Sequence, residues 1–274
     1  MSAVGRKGIG KSYQNIQNID AYVAGNPAKG IKPQRVLVFD TNDEYMHIRG
    51  IALKDLALFS AQPPHLVQAR RIRPFNEKTG LPATMNDLSD MLEVVLRFYR
   101  NGMLLIEDMN KFTSDNMKND LIGALCTNRH LGLDIVTSLQ GIGRIVPKMW
   151  QNLNWLRLHD VSESMEKHRS KFEDKYEFLS IAQRIVKAKV DGGNIRFFLN
   201  VDLNYSRIYG PYTGDEFKAG ALSLIYENYG QMVSPLLRHI DLQAGGKKKY
   251  TEADAINAEI DRLTKAHSQF TVKK

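Results

Sequence analysis

The sequence predicts an α/β protein with a mainly parallel central sheet flanked by helices, and three observations support that class. Short apolar runs end in acidic or polar residues, amphipathic helical stretches separate them, and a glycine-rich turn joins the first run to the first helix. A sheet of this kind gathers its reactive residues beyond the carboxyl ends of its strands.

The glycine-rich turn carries the chemistry. Residues 5–12 read Gly5-Arg6-Lys7-Gly8-Ile9-Gly10-Lys11-Ser12 and fit G-x-x-x-x-G-K-[ST] at every fixed position. The glycines let the backbone curl so that successive N–H groups face phosphate oxygens. Lys11 reaches the β and γ oxygens, and the Ser12 hydroxyl holds Mg²⁺. Gly5, Arg6, Lys7, Gly8, Ile9, Gly10, Lys11, Ser12 and the following Tyr13 are therefore the expected nucleotide contacts, with ATP and Mg²⁺ as cofactors. The strand feeding this loop is squeezed into Met1 to Val4, which is tolerable where neighbouring strands cover it.

With 274 residues, 43% of them hydrophobic, the chain is long enough for one large α/β domain, or one domain and a small appendage, without covalent staples. Its single cysteine, Cys126, excludes an intrachain disulfide, and the apolar residues around it mark it as packing rather than as a nucleophile. No apolar run approaches the roughly 18 residues that cross a bilayer, and no signal peptide precedes the loop, so a soluble, non-secreted protein is expected. Lys plus Arg number 38 against 30 Asp plus Glu, a formal charge of +8 that favours a polyanionic partner or an acidic membrane surface.

After the loop, Ile16, Ile19, Tyr22 and Val23 recur at helical spacing over Tyr13 to Ala24, and Gly25-Asn26-Pro27 ends the helix. Arg35 to Asp40 is a nearly continuous apolar run closing on an acid, as in a fully buried parallel strand, and residues 40–45 form the turn beyond it. The stretch from 46 to 79 is looser. It offers a short helix near Leu53 to Phe59, a break at Pro63-Pro64 and a small strand over Ala69 to Arg73. Asp87 to Tyr99 is strongly amphipathic and is stopped by Asn101-Gly102.

The next strand, Met103-Leu104-Leu105-Ile106, runs into Glu107-Asp108, the pattern called Walker B when it accompanies a phosphate loop. One acid orients Mg²⁺ and the other polarises the water that attacks the γ-phosphate. Glu107 is assigned to Mg²⁺ and Asp108 to water activation, with the two roles exchangeable. A helix is expected over Asp115 to Thr127, strands over His130 to Gln140 and Asn154 to His159, and charged helix from Ser162 to Ala188. A strand over Ile195 to Val201 and a final helix over Thr251 to Ala266 complete the pattern. The expected division is a P-loop ATPase domain over 1–210 and a helical C-terminal extension with a basic tail over 211–274.

Cys126 to Gln140 selects a family rather than a fold. An arginine, a glycine three residues later and an apolar strand ending in threonine, serine and glutamine are present here as Arg129, Gly132 and Thr137-Ser138-Leu139-Gln140. In this the chain resembles the HerA/FtsK superfamily of DNA-pumping P-loop ATPases. Val36 to Asp40 with Glu44-Tyr45 is similar to the second strand and acidic-aromatic turn of HerA-like proteins, and 145–152 to the segment after their fourth strand. The likeness spans about residues 3 to 160. The Glu-Asp order of the acid pair is reversed from the commoner one.

This resemblance implies a RecA-like P-loop NTPase in which Gln140 is a sensor of the γ-phosphate and Arg129 a finger inserted into a neighbour's site. A planar, always charged guanidinium suits the charge spread over the transferring phosphoryl oxygens. A finger acting in trans implies a homo-oligomeric ring, commonly a hexamer. The compact size is most similar to genome-packaging ATPases of tailless viruses and phages, implying DNA as partner, capsid or portal-vertex proteins as further partners, and action in the host cytoplasm or with the virion. A morphogenesis or extrusion ATPase acting on protein and a helicase- or conjugation-type motor are the alternatives. Arg70 to Arg73, Arg144, Lys148 and Lys247 to Lys249 are candidate DNA contacts. His47, His130 and His168 show no ligand spacing, and all seven histidines are taken as non-ligands.

Overall fold

Strands Arg35–Phe39 (β2) and Gly102–Ile106 (β4) are buried along their whole length. An unbroken apolar run has no solvent-facing alternate residues, so it is stable only where both sheet faces are covered. The computed structural model describes residues 1–63, 66–77, 79–109, 123, 128–241 and 247–270. It forms two compact units, Met1–Leu153 and Asn154–Lys274.

In the first unit Ser2–Val4 (β1), β2, Ala69–Ile72 (β3), β4 and Leu133–Leu139 (β5) make a parallel sheet in the order β3-β2-β4-β5-β1. Strand β5 therefore lies between the strand that feeds the glycine loop and the strand that ends in the acid pair. Helix Lys11–Ala24 (α1) covers one face, where Ile19 and Tyr45 join Val36, Val38, Met103, Leu105 and Val136 in one apolar cluster. Burying each such Val, Leu or Ile contributes about 1.5–3 kcal/mol. The three-residue β1 is fully buried and pairs with β5 in register Ser2 to Thr137 through Val4 to Leu139.

Helix Met85–Phe98 (α3) follows the short helix Leu56–Ala61 (α2) and begins two residues before the predicted Asp87. Thr84 caps it and Asp87 returns the bond to the Thr84 backbone, so the acid read as the start is the third residue of a capping box. Its buried residues Leu88, Met91, Leu92, Val95 and Leu96 keep helical spacing. The predicted helix over Asp115 to Thr127, with Cys126, lies outside the described residues, apart from Gly123. Gly132, matched in the resemblance, has φ of 61°, and a Cβ there would meet Asn101 Oδ1 at 2.4 Å. Only glycine allows that approach.

The second unit departs from the expected parallel alternation. Strands Trp155–Leu158 (β6), Leu199–Asp202 (β7) and Arg207–Tyr209 (β8) pair antiparallel in that order. Strand β8 was not expected. Its hairpin is set by Asp202, whose Oδ1 accepts the N–H groups of Asn204 and Tyr205. The strand predicted from Ile195 begins only at Leu199, because Gly192-Gly193 and the exposed Ile195 belong to the preceding turn.

Regular helix in the charged segment is delayed to Tyr176–Asp191 (α5, counting the short Pro147–Gln151 as α4). Ahead of it are only short helical pieces of three or four residues, at 165–168, 169–172 and 173–175, since an apolar period starts only with Phe178, Leu179, Ile181, Ala182 and Ile185. The longer helices Gly214–Glu227 (α6) and Glu252–His267 (α7) also belong to this unit, each opened by a threonine capping box.

Candidate functional site

Gly10 sits in the left-handed region with φ of 87° and leads directly into α1, which starts at Lys11 rather than at Tyr13. No side chain caps this helix, and its first turn holds no acid. Helices α3, α6 and α7 each close their N-terminus with a capping box. The first amides of α1 are thus left without the side-chain acceptor that the other three carry, which suits an anion bound from outside.

Lys11 folds back over the loop, and its ammonium donates to the carbonyls of Gly5 and Arg6. Burial pushes its pKa down, and the carboxylates of Glu107, Asp108 and Glu44 oppose that shift. Three acids therefore surround the one lysine that the sequence assigns to the phosphates. Ser12 donates to Glu44 Oε2 at 3.0 Å. Arg6, Lys7, Gly8 and Tyr13 are exposed, whereas Gly5 and Ile9 are buried and anchor the loop, Gly5 by its N–H to Leu139 O.

The two acids after β4 are placed differently. Glu107 is 5% exposed and accepts bonds from Asn15 Nδ2 at 2.7 Å and from the Tyr45 hydroxyl, both on Oε1. Asp108 is half-buried, with φ of 44°, a left-handed backbone that Asp tolerates better than most residues. Its Oδ1 accepts from Gln140 Nε2 at 3.3 Å. Glu107, Asp108, Gln140, Lys11 and Ser12 thus come together at the carboxyl ends of β1, β4 and β5. The backbone of Arg129 lies in the turn Asn128–Leu131 before β5, and its side chain is outside the described residues.

Beyond β2 the turn is tied together by side-chain bonds. Asp40 accepts the N–H groups of Glu44 and Tyr45 and pairs with Arg71 at 2.9 Å, and Arg71 also pairs with Asp43. The Asp40 side chain is 0% exposed, that of Arg71 8%. Arg71, grouped in sequence with the candidate DNA contacts, is committed to these acids and to Ile48 O, so it is corrected to a structural residue. Arg73, Arg144, Lys148, Lys248 and Lys249 are exposed and Arg70 half-buried.

Sequence reasoning missed Asn15. It is 1% exposed and bonds to Ser138 Oγ as well as to Glu107. The available signal was its place on α1 between Lys11 and Ile19, four residues from each, a polar residue on the face that packs against the sheet.

The oxygen donors present fit a magnesium ion. Ser12 Oγ and Glu107 are hard ligands, Glu107 Oε2 takes no bond from a described residue, and Mg²⁺ at a phosphate site needs only one or two protein oxygens. Among the described residues no three His, Cys, Asp or Glu side chains form a metal cluster. No helix among them is long and apolar enough to cross a membrane.

No protein-family model matches the chain, and no curated protein matches it. Among solved structures, the genome packaging NTPase B204 from Sulfolobus turreted icosahedral virus 2 in complex with AMP aligns at a TM-score of 0.51 with 19% identity, over 77% of this chain and 96% of that one. The same protein in complex with ATP-gammaS aligns at 0.48 with 19% identity, over 77% and 97%. At such identity the likeness shows the fold, which is that of a RecA-like α/β P-loop NTPase.

Proposed function

We propose that the chain is an ATP-driven DNA translocase that packages a viral genome through an oligomeric ring. The observation that carries this reading is the convergence of an uncapped, lysine-bearing helix N-terminus with an acid pair and a glutamine on the strands beside it. Each part is ordinary alone; together they supply phosphate binding, charge compensation and water activation for one reaction. The fold shared with B204, described as a genome packaging NTPase, supports the use to which the hydrolysis is put.

In this reading the amides of Gly8 to Ser12 and the Lys11 ammonium bind the phosphates. Ser12 and Glu107 would hold Mg²⁺, which would supply charge neutralisation at the phosphates. Asp108 accepts the proton of the attacking water, and Gln140 orients that water against Asp108. Arg129 of an adjacent subunit completes the charge compensation, which makes the active form a ring, with a hexamer favoured. Residues 1–210 form the ATPase domain and 211–274 its helical extension. Action in the host cytoplasm or with the virion, and contacts to capsid or portal-vertex proteins, follow from the same role.

The experiment is Mg²⁺-dependent ATP hydrolysis with and without duplex DNA, across a salt series. Hydrolysis stimulated by DNA, with a stimulation that falls steeply as salt rises, supports the translocase. Stimulation by a protein partner alone points to a morphogenesis ATPase, and separation of a forked duplex to a helicase-type motor. Absence of magnesium-dependent nucleotide binding in folded protein sinks all three.

A further inference from the structure

Four elements of the first unit meet at one buried polar group. Asn15 comes from α1, Tyr45 from the turn after β2, Glu107 from the end of β4 and Ser138 from β5. Asn15, Tyr45 and Ser138 are each 1% exposed and Glu107 is 5% exposed. A carboxylate only accepts, so the Asn15 amide must turn its nitrogen to Glu107, and the same nitrogen donates to Ser138 Oγ at 2.9 Å. The Tyr45 hydroxyl donates to the same carboxylate. Both donors use Oε1 and none of the described residues bonds Oε2.

We propose that Asn15 and Tyr45 are positioning residues that fix Glu107 by one oxygen, keep the other for the nucleotide's metal, and tie that carboxylate through Ser138 to the strand bearing Gln140. The inference rests on the nucleotide site proposed above and adds to it which residues hold Glu107 in place. Glu107 is buried and held from behind by two donors, which suits a fixed ligand. Asp108, half-buried and in contact with Gln140, is left as the acid for the attacking water. The arrangement also joins the helix behind the phosphate loop to the strand that carries the sensor, so that a displacement of Glu107 is felt on β5.

The test is Tyr45→Phe and, separately, Asn15→Ser, each alone and combined with Glu107→Gln. The measurements are kcat and KM for ATP, Mn²⁺ binding to the complex with a non-hydrolysable ATP analogue by electron paramagnetic resonance, and thermal melting. Each single variant is expected to lose tenfold to a hundredfold in kcat and to bind Mn²⁺ more weakly, with metal-free nucleotide affinity unchanged. In the Glu107→Gln background the same changes should have no further effect on kcat, since they act through that carboxylate. Wild-type kcat and Mn²⁺ affinity in either folded variant overturns the inference and leaves the nucleotide site standing. An equal loss in the Glu107→Gln background, or failure of both single variants to fold, reduces the group to packing and overturns it as well. A wild-type chain that turns over no ATP overturns both readings together.

Discussion

Gln140 donates its side-chain amide to the Asp108 carboxylate at 3.3 Å, across 32 residues of chain, and so joins the end of β5 to the end of β4. The contact is possible because the two strands are neighbours, paired in register from Gly102–Leu133 to Ile106–Thr137. The left-handed backbone at Asp108 turns the chain there out of the strand's extended path. Strain of about 1–3 kcal/mol at such a residue persists where the surroundings hold it, and functional sites are where it collects.

Replacement of Asp108 by Asn tests this geometry. Asn tolerates the left-handed backbone and keeps the side chain's shape but cannot accept a proton. The expected result is an unchanged melting temperature with ATP turnover reduced by about a hundredfold or more. Turnover within a few-fold of the parent chain would transfer the base role to Glu107.

Lys11→Ala should abolish ATP turnover and leave the fold intact, because its ammonium donates to the loop carbonyls of Gly5 and Arg6 and to no other described residue. The paired measurements are ATPase rate and thermal unfolding. Normal hydrolysis in a folded Lys11→Ala chain would remove the loop from the reaction.

Arg129→Ala should bind ATP and fail to turn it over, if the residue acts on a neighbouring subunit. Mixing this variant with Lys11→Ala should then restore part of the rate, since a mixed junction pairs an intact loop with an intact finger. No recovery at any mixing ratio would argue against shared sites.

Arg71→Met tests the buried pair behind the site. Removing the guanidinium leaves the Asp40 carboxylate at 0% side-chain exposure with two backbone donors among the described residues. Breaking such a pair costs about 3–5 kcal/mol. Urea unfolding should show a loss of that size, while the salt dependence of DNA binding stays that of the parent chain. A loss under about 1 kcal/mol would contradict the pairing.

In the second unit, the His267 imidazole and then the Arg262 guanidinium hold Glu177 down to about 2, from an ordinary 4.5. A carboxylate whose folded value is depressed adds stability that is present above its unfolded value and disappears as pH falls through the folded one. The stability advantage of the parent chain over Glu177→Gln should therefore be full above about pH 5 and shrink between about pH 4.5 and 2. Melting curves across that range check it; a difference independent of pH would place the effect in packing instead.

Elements with strong local patterns lie within two residues of their predicted bounds. Strands β2 and β4 are unbroken apolar runs closed by acids, and α3 repeats its apolar residues every three or four positions. The charged stretch before Tyr176 and the strand placed at Ile195 were read less well. In the first, charge alone says only that a segment is solvated; in the second, Gly192-Gly193 delays the strand. The hairpin partner β8 has three residues and no alternation long enough to register.

From sequence alone came the glycine-rich loop with Lys11, the acid pair, Gln140 and the α/β class, because each is written in residues a few positions apart. Tertiary structure decided the rest: that Glu107 is the buried acid and Asp108 the half-buried one, that Arg71 belongs to Asp40, and that Asn15 belongs to Glu107. The reason is distance along the chain. Asn15 and Glu107 are separated by 92 residues and Arg71 and Asp40 by 31, and a buried polar group takes its partner from whatever the fold brings beside it.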